Sequence, residues 1–177
     1  GAAAAILFAR EGAKVVLVDA EKQWAEATKA IIEEEGGEAI TATTNVTNAA
    51  DCRKAIGAAV ERFGTVHILH NNVGGAGSGS VVEATEEAWQ ASMSINLMSM
   101  INMSRYAIPH MASSGGGAII NVSSVTALRP KAGRSSAPYT VNKSAVVGLT
   151  RAMALDHAEE NARVNCIMPG LMWTPRV

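Results

Sequence analysis

The chain has 177 residues, of which 48% are hydrophobic, and a formal net charge of −1. This length and apolar fraction predict one domain over residues 1–177, and the near-zero charge argues against a nucleic-acid partner. Apolar runs such as AAAAILFA are much shorter than the roughly 18 residues of a membrane span, so we expect a cytoplasmic protein that does not enter a membrane.

Helices and strands alternate along the first half of the chain. Helical periodicity runs from Ala2 to about Glu11 and stops at Gly12, a residue suited to a helix C-terminus. The elements predicted next are a strand at 14–18 that ends at Asp19, a helix near 21–35, a weaker strand near 39–43 and a helix near 48–63.

The second half continues the alternation. It has a strand at 67–71, a glycine-rich loop at 74–80, a mostly helical segment at 86–111 that Pro109 bends or ends, a strand from 118, a helix near 138–157 and a strand from 163. Apolar strands separated by amphipathic helices predict a doubly wound, mostly parallel sheet in a three-layer α/β/α arrangement.

Polar and glycine residues follow the predicted strands at their carboxyl ends. In a doubly wound sheet the ligand crevice lies beyond these ends, so the sequence predicts a binding site there. The residues concerned are Asp19, Asn45, the segment NNVGG at 71–75, Ser123, Ser124, Pro169 and Gly170.

Tyr139 and Lys143 stand four residues apart at the start of a predicted helix and therefore share one helix face. A neighbouring cation favours the ionised form of a phenol, which makes a phenol a better acid–base group near neutral pH. The same spacing is also common on ordinary protein surfaces. Other motifs must decide between these two interpretations.

Four motifs, in order, resemble the short-chain dehydrogenase/reductase family, whose members bind NAD(P) on a Rossmann fold. NNVG at 71–74 is similar to the family's Asn-Asn-Ala-Gly, and IINVSS at 119–124 is similar to its active-site serine strand. YTVNK at 139–143 resembles its Tyr-x-x-x-Lys, and RVNCIMPGLMWT at 163–174 its strand leading to Pro-Gly. The resemblance implies hydride transfer between a nicotinamide cofactor and a small alcohol or ketone.

The resemblance assigns four catalytic residues. Tyr139 is the general acid/base, Lys143 its electrostatic partner and Ser124 the hydroxyl that orients the substrate. Ser124 is chosen over Ser123 by the family pattern, and only one of the two can face the cleft because alternate strand residues face opposite sides. Asn96 is the fourth member, expected in a distorted helical turn; from the residues alone it is equally a solvated or capping residue.

The expected cofactor is NAD rather than NADP. Gly1 matches the last glycine of the family's Gly-x-x-x-Gly-x-Gly, where pyrophosphate meets a helix N-terminus. Asp19 stands where a carboxylate would bind the adenosine ribose and repel a 2'-phosphate. The alternative is that Asp19 only caps the following helix.

Further positions complete the expected cofactor site. Asn45 and Val46 stand where the family usually has Asp-Val against adenine, and Thr174 matches a residue that binds the nicotinamide carboxamide beside the backbone of Ile167. The other cofactor contacts implied by the resemblance are Asn72, Gly74, Tyr139, Lys143, Pro169 and Gly170.

The family's first strand and its C-terminal elements have no counterpart in the sequence. We therefore expect a longer natural chain, a dimer or tetramer at full length, and a gap in the sheet between the strands at 14–18 and 67–71. Two alternatives remain open: a 3-oxoacyl-carrier-protein reductase that uses NADPH, and a non-catalytic nucleotide-binding fragment.

Several other patterns do not predict a site. GGAGSGS at 74–80 lacks phosphate-loop spacing, and no Gly-x-Ser-x-Gly of a serine hydrolase occurs. His67 and His70 would point to opposite faces of a strand, which argues against a metal. Two cysteines, Cys52 and Cys166, form no disulfide framework, and the basic loop residues Arg129, Lys131 and Arg134 are more typical of solvated charge than of an anion site.

Overall fold

The computed structural model describes residues 1–75, 77–130 and 135–172. Thr174, Lys131 and Arg134 lie outside the described residues. The first elements are α1 (Ala2–Arg10), β1 (Val15–Asp19), α2 (Lys22–Glu34), β2 (Ala39–Thr43), α3 (Ala49–Phe63) and β3 (Ile68–Asn71). They are followed by α4 (Glu86–Met93), a π-helical turn (Ser94–Met98), α5 (Ser99–Ser113), β4 (Gly117–Val122), a 3-10 turn (Val125–Ala127), α6 (Ala137–Asp156) and β5 (Ala162–Ile167).

Local sequence explains where α3 begins and ends. Asn48 precedes the helix, and its Oδ1 accepts hydrogen bonds from the backbone N–H of Ala50 at 2.9 Å and of Asp51 at 3.3 Å. Such a cap satisfies donors that a helix N-terminus leaves without partners. Gly64 follows the last turn with φ of 87°, a conformation that only glycine adopts without strain.

The strands form two parallel sheets. β1 pairs with β2, and β4 pairs with β3 on one side and β5 on the other. Among the strands of residues 1–75, 77–130 and 135–172, none joins β1 to β3. This interruption is the gap that the sequence predicts between these two strands.

Helices cover both faces of the strands. In β1, Val15 and Leu17 pack in an apolar cluster with α1 and α2, whereas Val16 and Val18 pack in the main core that includes α3 and α5. This division follows from the two-residue side-chain period of a strand. The prediction of a doubly wound, Rossmann-like α/β fold is confirmed.

Pro109 does not end its helix. α5 continues through Pro109 to Ser113, although a proline removes one backbone donor and leaves the carbonyl four residues earlier without its helical partner. That carbonyl belongs to Arg105, and both residues are exposed, so water can replace the missing donor. Of the two expected effects of Pro109, bending or ending the helix, the second is therefore wrong.

Backbone hydrogen bonds join the segments at the carboxyl ends of neighbouring strands. Thr44 N–H donates to the Asp19 carbonyl at 2.9 Å, and Ser123 N–H donates to that of Ile167 at 2.8 Å. Val125 N–H donates to the Pro169 carbonyl at 3.0 Å. These bonds hold Asp19, Ser123 and Pro169 at the carboxyl ends of the parallel strands. Within the described part of the chain, no helix has the length and apolarity needed to cross a membrane.

Candidate active site

Lys143 is a buried cation near the start of α6. Its side chain is only 3% exposed, and its ammonium donates a hydrogen bond to the carbonyl of Val122, the last residue of β4, at 2.9 Å. Burial lowers the pKa of Lys143 to about 8, because a charged ammonium loses hydration inside the protein. A buried lysine with a shifted pKa at the carboxyl edge of a sheet marks a candidate functional site.

Tyr139 lies on the same face of α6, one turn before Lys143. The ammonium of Lys143 is 5.8 Å from the centroid of the Tyr139 ring. Tyr139 is half-buried, so it remains in contact with solvent while Lys143 does not. The structure thus brings the two predicted residues together in the arrangement that their spacing indicates.

Gly74 brings the loop after β3 against both Lys143 and Asn96. A Cβ atom at Gly74 would lie 3.0 Å from the ammonium nitrogen of Lys143 and 3.2 Å from Oδ1 of Asn96. A side chain at Gly74 would therefore displace at least one of them. Because Gly74 is exposed on its other side, its backbone forms part of the surface of the candidate site.

Asn96 is fully buried in the π-helical turn between α4 and α5. Its Oδ1 accepts a hydrogen bond from Gly75 N–H at 3.1 Å, and its Nδ2 donates to the Gly75 carbonyl at 2.9 Å. The alternative of a solvated or capping residue is wrong, since Asn96 has no solvent contact and lies inside a continuous helical segment. The π turn is the distortion that the family resemblance implies at this position, and such turns are frequent at functional sites.

The two serines after β4 have different surroundings. Ser123 is 4% exposed and donates its hydroxyl proton to the backbone carbonyl of Lys143 at 2.6 Å. Ser124 is partly exposed, and its Oγ accepts hydrogen bonds from Thr126 N–H at 3.3 Å and Thr126 Oγ1 at 3.0 Å. Ser123 thus fixes α6 to β4, and Ser124 is the serine that solvent reaches.

Asp19 ends β1 at the expected edge of the sheet. Its Oδ1 accepts a hydrogen bond from Glu21 N–H at 3.0 Å, at the start of α2. This bond closes the turn that leads into α2, whose N-cap residue is Glu21, so Asp19 does not itself cap the helix.

Asn45 and Val46 follow β2. Asn45 is exposed, and its Oδ1 accepts hydrogen bonds from Thr47 N–H at 3.1 Å and Thr47 Oγ1 at 2.8 Å. Val46 is 7% exposed, and its side chain belongs to the main core. Val46 can therefore face a ligand only through its backbone.

Of the remaining predicted cofactor residues, those that the structure describes lie at the same edge. Asn72 is exposed, and a Cβ at Gly1 would lie 3.4 Å from its Nδ2, which places the N-terminus of α1 beside the end of β3. Pro169 and Gly170 follow β5, where the Pro169 carbonyl accepts from Val125 N–H. Thr174 lies outside the described residues.

Sequence reasoning missed how the glycine-rich loop is held. Gly79 forms a β-bridge with Ser136: its N–H donates to the Ser135 carbonyl at 3.1 Å, and its carbonyl accepts from Ala137 N–H at 2.9 Å. Gly79 has φ of 97°, which strongly favours glycine. The glycines at 74–80 signalled a loop, but no sequence pattern showed that its partner is the segment just before α6.

The described residues contain no group of three or more His, Cys, Asp or Glu side chains placed to hold a metal ion. Both Cys52 and Cys166 are free thiols. Cys52 is buried in α3 and its thiol donates to the carbonyl of Val46, and burial raises its pKa.

The parallel α/β layers and the polar edge at the carboxyl ends of the strands define a Rossmann-like nucleotide-binding fold. The family model described as short chain dehydrogenase matches residues 1–177, and the chain belongs to this family of oxidoreductases.

Relatives support this assignment. The chain is 40% identical over 175 residues to 2,5-dichloro-2,5-cyclohexadiene-1,4-diol dehydrogenase of Sphingobium indicum, an alignment that covers 99% of this chain and 69% of that protein. It is 31% identical over 175 residues to a 3-oxoacyl-[acyl-carrier-protein] reductase of Thermotoga maritima, covering 99% and 70%.

A solved structure shows the same fold. The crystal structure of L-sorbose reductase from Gluconobacter frateurii, complexed with NADPH and L-sorbose, superposes with a TM-score of 0.93 at 31% identity, covering 99% of this chain and 67% of that one. This chain therefore spans about two thirds of the length of these relatives.

Proposed function

We propose that this protein is an oxidoreductase that transfers a hydride between NAD(H) and a small alcohol or ketone. The observation that carries the proposal is the buried ammonium of Lys143 beside the ring of Tyr139, next to the exposed backbone of Gly74. A buried cation costs free energy, so its retention beside a solvent-accessible phenol favours a chemical role over a surface pair.

The residues at this edge fit a dinucleotide. Gly74 presents bare backbone where a Cβ would crowd Lys143 and Asn96. α1 begins directly after Gly1, which has no side chain to cap it, and the N-terminus of a helix suits an anionic pyrophosphate. Asp19 supplies an acceptor for a ribose hydroxyl. When bound, the nicotinamide would accept or supply the hydride.

The carboxylate of Asp19 favours NAD over NADP as the cofactor. A carboxylate and a phosphate about 5 Å apart repel each other by on the order of 3 kcal/mol at an effective dielectric constant near 20. This repulsion would weaken the binding of a 2'-phosphate by roughly a hundredfold. Asn45, Val46, Asn72, Pro169, Gly170 and Thr174 complete the proposed set of cofactor contacts.

Tyr139 is the proposed general acid/base. Its phenol oxygen takes a proton from the alcohol during oxidation and returns one during reduction, and Ser124 orients the substrate oxygen. General acid–base catalysis of this kind typically contributes about 100-fold to 10,000-fold in rate. Asn96 holds the loop at Gly75 and, by family resemblance, a proton-relay water.

Lys143 places its positive charge 5.8 Å from the centroid of the Tyr139 ring, beside the proposed acid–base group. Because its pKa is about 8, most of the Lys143 population carries this charge at pH 7. Its hydrogen bond to Val122 fixes the ammonium in place, so the charge requires no reorganisation when the proton moves.

A second candidate is a reductase of carrier-linked 3-oxoacyl groups that uses NADPH. The 31% identity to such an enzyme of Thermotoga maritima favours it, whereas Asp19 argues against NADPH. By family resemblance we also expect a cytoplasmic dimer or tetramer. A non-catalytic nucleotide-binding protein would keep the fold without turnover.

One experiment separates these functions. The natural protein that contains these residues is assayed by nicotinamide absorbance with NAD or NADP and a panel of secondary alcohols, cyclic diols and sugar alcohols, and in reverse with ketones and a 3-oxoacyl thioester. We expect turnover with NAD(H) at least roughly tenfold above NADP(H). Faster turnover of the thioester with NADPH than with NADH would favour the second candidate. No turnover with any combination of cofactor and substrate would contradict the proposal that the protein is an enzyme.

A further inference from the structure

Three buried polar side chains connect the π-helical turn to α6. Ser92 in α4 is 2% exposed, Asn142 in α6 is 2% exposed and Asn96 is fully buried. Oγ of Ser92 accepts a hydrogen bond from Nδ2 of Asn96 and another from Nδ2 of Asn142, each at 3.3 Å. Ser92 is therefore a hub between two helices that are 50 residues apart in sequence.

Each amide of this cluster also holds a segment of the candidate site. Nδ2 of Asn142 donates to the carbonyl of Pro138 at 2.7 Å, across the helical turn that contains Tyr139. Asn142 is the residue directly before Lys143. Nδ2 of Asn96 donates to the Ser92 and Gly75 carbonyls, beside Gly74. The hub at Ser92 thus joins the turn of Tyr139 to the loop that contacts Lys143.

The glycine-rich loop closes over this hub. A Cβ at Gly77 would lie 3.0 Å from Oγ of Ser92 and 3.2 Å from Cβ of Pro138. Since the backbone of Gly77 fills this space and the three polar residues are almost inaccessible, water cannot replace a lost partner at low cost. A hydrogen bond in such an environment fixes geometry more firmly than one at the surface.

We infer that Ser92 and Asn142 are positioning residues that set α6, and with it Tyr139 and Lys143, relative to the turn of Asn96. This inference rests on the proposed function. Neither side chain is accessible to a substrate, so their effect is transmitted through the groups they hold. Loss of the Ser92 hydroxyl leaves the amide of Asn142 with one fewer acceptor and loosens the turn of Tyr139.

The test uses a pair of variants with the same shape. Ser92→Thr keeps the hydroxyl and Ser92→Val removes it, so any cost of the added methyl group is common to both. Asn142→Leu removes the other partner. We expect kcat to fall roughly tenfold or more in Ser92→Val relative to Ser92→Thr, with KM for the alcohol and the Kd for NADH within about twofold.

A double variant tests whether the two residues act as a unit. Because Ser92→Val and Asn142→Leu break the same connection, the double variant should be little slower than the slower single variant. Hydrogen exchange of the peptide spanning 137–147 should be faster in Ser92→Val than in Ser92→Thr. Independent, multiplicative losses in kcat would contradict the inference.

Ser104 is the matched control. It is 2% exposed in α5, and its Oγ accepts a hydrogen bond from Nδ2 of Asn71 at 3.2 Å rather than from a group at 74–75 or 138–143. We expect Ser104→Val and Ser104→Thr to have equal kcat. If Ser92→Val and Ser92→Thr have the same kcat while the wild type is active, the inference is overturned and the proposed function stands. An inactive wild type overturns both.

Discussion

The ammonium of Lys143 lies 5.8 Å from the centroid of the Tyr139 ring, in a position where Lys143 is almost completely buried and Tyr139 is not. The hydrogen bond of Lys143 goes to the carbonyl of Val122, a neutral acceptor at the end of β4. A positive charge held in this way is stabilised less than in water, and it acts on the adjacent phenol at short range.

The burial of Lys143 predicts a pH-dependent stability. Between its native pKa of about 8 and the ordinary value of 10.5, the unfolded chain binds more protons than the folded one, so the free energy of unfolding contributed by Lys143 rises with pH. In the Lys143→Met variant this contribution is absent. From pH 8.5 to 9.5 we expect the free energy of unfolding of the wild type to rise by roughly 1 kcal/mol per pH unit relative to that of the variant.

Urea unfolding without added nucleotide measures this difference. Lys54→Met is the control, because Lys54 is an exposed lysine of α3 whose partner is Asp51 at 3.8 Å. The free energy of unfolding of Lys54→Met should change with pH in the same way as that of the wild type over this range. A constant difference between the wild type and Lys143→Met at all pH values would show that burial does not perturb Lys143.

The close approach at Gly74 predicts loss of activity without loss of fold. In Gly74→Ala the new Cβ lies 3.0 Å from the ammonium nitrogen of Lys143 and 3.2 Å from Oδ1 of Asn96, so these groups must shift by a few tenths of an ångström although other hydrogen bonds hold both. We expect kcat/KM to fall roughly tenfold or more while the free energy of unfolding drops by less than about 1 kcal/mol.

Gly148→Ala is the matched control for Gly74→Ala. Gly148 lies in α6 with nothing within 4 Å of an added Cβ. Alanine is the better helix former, so this variant should be more stable by about 0.5 to 1 kcal/mol with unchanged kcat/KM. Equal kinetics for the two alanine variants would exclude the contact at Gly74 as a determinant of the site.

Asp19 should determine the choice of cofactor. Asp19→Asn keeps the Oδ1 acceptor for Glu21 N–H and removes the negative charge. We expect kcat/KM with NADP to rise roughly tenfold to a hundredfold, since the repulsion of the 2'-phosphate is removed. Asp51→Asn removes a similar charge from the first turn of α3 and should leave the ratio unchanged.

Two results would contradict the role of Asp19. An unchanged NAD-to-NADP ratio in Asp19→Asn would show that its carboxylate does not contact the ribose. A loss of folded protein in Asp19→Ala, which removes the acceptor for Glu21 N–H, would instead favour the interpretation that Asp19 serves the start of α2.

The fold was predictable because its signals are local. The β-branched run before Asp19, the helix cap at Asn48 and the stop at Gly64 each depend on neighbouring residues, and the structure places β1 and α3 where these signals indicate. Pro109 shows the limit of such reasoning. Its cost depends on whether solvent reaches the carbonyl that it leaves without a partner, and the sequence does not contain that information.

The candidate site was predictable only in part. The spacing of Tyr139 and Lys143 predicts a shared face, but the burial of Lys143 depends on β4 and on the loop after β3, which are distant in sequence. The hub at Ser92 is likewise invisible in the sequence, because its partner Asn142 is 50 residues away and no spacing rule connects them.

The most direct test of the central claim compares the two tyrosines of the chain. Tyr139→Phe and Tyr106→Phe each remove one hydroxyl, and Tyr106 packs against the main core in α5, away from the site. In a single-turnover measurement of NAD reduction by the preferred alcohol, Tyr139→Phe should lose at least roughly 100-fold in rate while binding NADH normally, and Tyr106→Phe should match the wild type. Equal rates for Tyr139→Phe and the wild type would contradict the account.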